Sequence, residues 1–161
     1  MKRIIALTIA LIMVLSLTAC GEKTEGETSS TSAPAASLDI HKVKDEILKI
    51  VANDDPMEIT TDRLFDLYQI DTNWVKDSAC VATLAGVFPG DIIMIEAKDE
   101  ASKAEIKKVL EAKLQDLQEQ AKNYDKENYE LAKTCKICER GNFIALFISS
   151  NHVQMEELFL K

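Results

Sequence analysis

The sequence predicts an α+β fold, a small antiparallel or mixed sheet packed against a long helix and a C-terminal helix, in the order ααββαββα. Three observations carry it. Residues 100–124 hold one apolar stripe at helical spacing; two apolar, β-compatible runs meet at Pro89 and Gly90; and Arg140, Gly141 and Asn142 offer a second turn before the apolar run 143–148. Paired strand-like runs alternating with helical ones place helices on one face of a sheet.

Taken in order, Leu38 and Asp39 ahead of Val43 have the pattern of a hydrophobic staple and N-cap. Val43, Ile47, Ile50 and Val51 share a face, so a helix is expected to about Val51, where "NDDPM" stops it. Ile59, Thr60 and Leu64 repeat the entry pattern for a short helix carrying Leu64, Leu67 and Tyr68 on one face. Residues 70–76, with Trp74, read as an ordered loop. Residues 79–88 and 91–99 are expected to form a hairpin through Pro89 and Gly90, with Ile93, Ile95 and Ala97 on one strand face and Ile92, Met94 and Glu96 on the other. In 100–124, Ile106, Leu110, Leu114, Leu117, Ala121 and Tyr124 recur every three or four residues, a stripe for covering a sheet. "NYDKENYELAK" reads as loop and a helical turn. Asn151, with Gln154 three residues on, opens a terminal helix bearing Val153, Met155, Leu158 and Phe159.

The first forty residues are of another kind. Lys2 and Arg3 precede an uncharged apolar run that ends at Ala19 and Cys20, the layout of a cleaved signal segment and too short for the about 20 apolar residues a spanning helix needs. "LTAC", Leu17 to Cys20, resembles the lipobox of bacterial lipoproteins, whose cysteine becomes the acylated N-terminus. The expected division is a signal peptide at 1–19, a lipidated N-terminus and flexible tether at 20–37, and one α+β domain at 38–161, anchored through membrane lipid on Cys20 to the outer face of the cell membrane. The tether, "GEKTEGETSSTSAPAAS" after Cys20, lacks the large apolar residues that offset the entropy of ordering.

With 19 basic and 27 acidic residues the net charge is -8, so a nucleic-acid partner is excluded for want of a basic footprint. Five glycines leave little material for a phosphate cradle, and no nucleophile elbow, zinc-protease or calcium-loop motif is present, so no cofactor is expected.

Leu67, Tyr68 and Ile70, then "GVFPGDIIMIEAKD", the long helix with Gln115 and Tyr124, and "GNFIALFIS" resemble a family of uncharacterised lipoproteins, chiefly from Firmicutes, catalogued as domain of unknown function 4358. The likeness spans roughly residues 62–160. Asp91 matches the acidic residue at the approach to the strand before the long helix in that family. The resemblance brings no catalytic residue, and Cys135 and Cys138 depart from the usual pattern.

Two sets of residues invite a functional reading. Cys135 and Cys138 have the spacing of a dithiol redox centre or a disulfide, in an exported chain where disulfides persist. A reactive dithiol wants its first cysteine at a helix N-terminus, whereas these lie in or beside a strand, where a separation of three points side chains to opposite faces. Unpaired thiols are the bland alternative. Cys80 can pair with either, and a metal site with His41 or His152 lacks a second ligand pair. Tyr68 and Trp74 are candidates for a ligand surface, or for closing an edge of the core. Three functional readings follow, with enzymatic activity not expected to lead: a lipoprotein binding a protein, peptide or envelope component; an accessory subunit of a membrane assembly; or a thiol-redox envelope enzyme using Cys135 and Cys138.

Overall fold

The strand Ile92–Ala97 (β3) is apolar on both sides, and the architecture follows from having to cover both. The computed structural model describes residues 38–51, 56–83 and 90–161. β3 is the middle of a five-stranded sheet ordered β1-β2-β3-β5-β4, in which each neighbouring pair is antiparallel. The other strands are β1 (Pro56–Ile59), β2 (Val75–Thr83), β4 (Ile137–Arg140) and β5 (Phe143–Phe147).

Ile93, Ile95 and Ala97 point to the face covered by the helices α2 (Leu64–Tyr68) and α3 (Glu100–Tyr124), where they meet Ile106 and Leu110. Ile92 and Met94 point to the opposite face, covered by α1 (Ile40–Ile50) and α5 (His152–Leu160) through Ile40, Val43, Ile47, Met155 and Phe159. The period-two alternation read from the sequence is therefore present. Helices on one face only was the wrong expectation: a strand reading Ile-Ile-Met-Ile needs apolar cover on both sides, so the sheet is sandwiched between two helical layers.

The order ααββαββα is also too simple. An edge strand, β1, precedes α2, and a nine-residue helix, α4 (Lys126–Thr134), follows α3 where loop and a helical turn were expected. Residues 72–74 form a 3-10 turn that runs straight into β2. Ile50, expected on the buried face of α1, is exposed, while Ile40 is buried in its place. The register pairs Cys80 with Ile93 and Ile95 with Ile144. Gly141, with φ +57°, and Asn142 make the two-residue turn between β4 and β5, a conformation that glycine adopts without steric cost. The signal segment, Cys20, the tether and Pro89 lie outside the described residues.

Caps set the long helix. The Asp99 carboxylate accepts the Ser102 backbone N–H at 2.7 Å, and this bond holds the carboxyl below its ordinary pKa. A lowered folded-state pKa means a contribution present above the unfolded value and lost as pH falls through the folded one. Asp99→Ala is accordingly expected to lower the thermal midpoint at neutral pH and to leave it nearly unchanged in acid below the folded-state pKa, where wild type has lost the same cap. Thermal scans at the two pH values check it.

Candidate functional site

α2 is only five residues long, and its end shapes a groove against α3. Gln69 closes the helix in the left-handed conformation, φ 60°, where glycine is the usual residue, and its N–H bonds Phe65 O at 2.9 Å. Holding a non-glycine there costs about 1 kcal/mol, the kind of local strain that gathers at binding sites. Leu67, Tyr68 and Gln69 then face Val109, Ala112, Lys113, Asp116, Leu117 and Gln120, one stripe of α3, across a groove of about 520 Å³. Leu67 in its wall is exposed.

Two of the lining side chains, Tyr68 and Lys113, meet a third ionisable group, Asp91, that comes from far away in sequence. The Lys113 ammonium sits 4.8 Å from the centre of the Tyr68 ring and 3.1 Å from Asp91 Oδ2. Asp91 is 3% exposed, and burial pushes its carboxyl above the ordinary range against the pull of Lys113. Burial also pushes up the Tyr68 phenol, helped by the nearby Asp91 and Cys80. The Tyr68 hydroxyl has no hydrogen-bond partner among the described residues, and a buried donor left so costs about 1–3 kcal/mol. Asp116 has no ion-pair partner among the described residues, so with Lys113 matched by Asp91 the groove carries one uncompensated negative charge.

Of the aromatic pair singled out in the sequence, Tyr68 lines this groove and Trp74 does not; Trp74 packs on the core of the α3 face. Lys113 and Asp116 gave no sign in the sequence, because only the packing of α3 over the end of β3 brings Lys113 to Asp91.

The thiols stand elsewhere in character. Cys80, Cys135 and Cys138 are free and buried. Cys80 lies in the core of the α3 face and Cys138 in that of the opposite face, so the sheet separates them. Cys135 is the C-cap of α4, the end of a helix that disfavours a thiolate. Burial raises all three thiols, Cys80 to about 12 and Cys138 to about 11. A dithiol redox centre requires an exposed thiol of depressed pKa, and the geometry gives it no support. At about pH 8 the native protein is expected to react slowly with a thiol reagent, and all three thiols quickly once denaturant is added; fast labelling of Cys135 or Cys138 in the native state would reverse this.

A second polar cluster ties α4, β4 and α5 together. His152 and Glu156, both nearly buried, bond through Nδ1 and Oε1 at 2.8 Å; His152 Nε2 lies 2.9 Å from the exposed Thr134 Oγ1, and Glu156 Oε2 lies 3.0 Å from Lys136 Nζ. The Thr134 hydroxyl donates its one proton to Leu131 O at 2.7 Å, so toward Nε2 its oxygen is an acceptor, and the cluster does not have the donor order of a hydroxyl, imidazole and carboxylate relay. Among the described residues no group of three or more His, Cys, Asp or Glu side chains is placed to hold a metal ion.

No curated protein and no solved structure matches the chain. Residues 49–149 match the family model described as "Domain of unknown function (DUF4358)". The match takes in the whole sheet, α2, α3 and α4, and with them the groove and the Tyr68, Asp91 and Lys113 cluster, while α5 and most of α1 fall outside it. It covers more than half of the sequence, and the chain belongs to this family.

Proposed function

We propose that the chain is an extracytoplasmic lipoprotein, cleaved before Cys20 and anchored by lipid on that cysteine, whose single domain binds a protein or peptide of the envelope in the groove between α2 and α3. The observation that carries the binding reading is the groove itself. Apolar side chains wall it, a left-handed glutamine is in its lining, and its lysine and tyrosine meet a buried aspartate. Binding sites combine mostly apolar walls with a few placed polar groups in this way. The anchor reading is supported by the "LTAC" motif after an apolar segment. Among the described residues no helix is long and apolar enough to cross a membrane.

The test is made in cells. A photoreactive residue at Leu67 or Ala112 of the full chain is expected to crosslink a discrete polypeptide, and one at the exposed Glu46 of α1 is not; equal crosslinking at all three positions sinks the groove reading. Intact-mass spectrometry of the detergent-extracted protein is expected to show acyl chains on Cys20, and an unmodified Cys20 sinks the anchor.

A further inference from the structure

The Lys113 ammonium occupies the position a ligand cation would take. It rests over an aromatic face and against a buried carboxylate, the two groups that together recognise ammonium and guanidinium groups. It is also open to solvent on one side. Its side chain is 25% exposed, and Asp116, unpaired among the described residues and also lining the groove, stands three residues along the same helix, within reach of an i, i+3 ion pair.

We infer that Lys113 is an exchangeable occupant: a lysine or arginine side chain of a partner polypeptide replaces it on Tyr68 and Asp91, and Lys113 turns to Asp116. This rests on the groove being the binding surface proposed above. The exchange leaves no buried charge alone, because Asp91 keeps a cation throughout and Lys113 trades one carboxylate for another. It also accounts for the uncompensated charge of the groove, which a partner's cation neutralises. The exposed Leu67, with Leu117 in the wall, fits apolar residues flanking that basic residue. The partner segment is therefore basic and amphipathic, in keeping with a chain of net charge -8.

The experiment titrates the folded protein with a labelled, end-blocked peptide of leucines flanking one lysine, and with the same peptide carrying norleucine instead. The lysine peptide is expected to bind about tenfold tighter than the norleucine peptide, and Asp116→Asn to weaken it several-fold by removing the alternative partner of Lys113. Asp91→Asn is expected to abolish the preference for lysine. Lys113→Met removes the internal competitor and is expected to tighten the lysine peptide about tenfold. Should that variant fold poorly with Asp91 left alone, the double variant Asp91→Asn with Lys113→Met serves instead, and is expected to fold and to bind both peptides equally. Equal binding of the two peptides by wild type, unchanged by Asp91→Asn, overturns the exchange and leaves the groove as a peptide site. Absence of binding by either peptide, together with crosslinking from Leu67 no stronger than from Glu46, overturns the groove reading as well.

Discussion

Phe147→Ala is expected to cost about 3–5 kcal/mol, the range for removing a fully buried aromatic side chain and leaving a cavity. Phe147 is the last residue of β5, pairs with Ile92 across the sheet, and is wholly buried. Its ring meets that of Phe159 edge to face at 6.1 Å, so one substitution strips contacts from the strand and from α5 together. A cavity there cannot close by relaxation of a loop, because its walls are a central strand on one side and a helix on the other. Phe143, at the other end of the same strand, is only partly buried and makes the control: Phe143→Ala should cost clearly less. Urea denaturation followed by circular dichroism measures both, and equal losses would mean that the β5 and α5 contact does not hold the second helical layer.

The second large effect is at Glu156. Its carboxylate, 5% exposed, is shared between His152 and Lys136, and Glu156→Ala is expected to cost about 3 kcal/mol, since it leaves a buried imidazole N–H without an acceptor. Lys136 adds little to that loss, for its ammonium is mostly exposed and simply returns to water. Glu156→Gln keeps an acceptor for Nδ1–H and is expected to cost about 1 kcal/mol. The two variants are compared by the same urea titration. If alanine costs no more than glutamine, the cluster is not what fastens α4 and β4 to α5.

How much of this was readable from the chain depends on the range of the interactions that decide each part. The bounds of α3 follow from a local pattern, a stripe repeating every three or four residues, and were legible at residue level, whereas the Asp99 cap was not read and Tyr124, expected on the stripe, is exposed. The two faces of β3 were legible for the same reason. The number of helical layers was not drawn from them, although the burial demand of four consecutive apolar residues already contained it. β1 escaped notice because its alternation, Met57 and Ile59 inward against exposed Pro56 and Glu58, runs for only four residues, and its existence depends on pairing with β2. α4 has a weak apolar face and owes its shape to packing on α3. At the site, Tyr68 was legible as a large amphipathic side chain on a short helix, whereas Lys113 looked like one charge among many on a solvated stripe. Its role comes from Asp91, twenty-two positions away, and no spacing rule links the two. The His152 and Glu156 pair sits at the i, i+4 distance of a helix, but Thr134 reaches it only through the tertiary fold.

The two helices that cover the second face of the sheet have a consequence for how the molecule is made. α1 is synthesised before any strand and α5 after all of them. Synthesis runs from the N-terminus, so Ile92, Met94 and Phe147 can be assembled into a sheet while half of their cover is still missing. An emerging chain thus passes through a stage with a broad, sticky apolar surface, and the last helix acts as a seal that ends the hazard. Premature termination within α5 would leave that surface open for good, marking the product for chaperones and proteases.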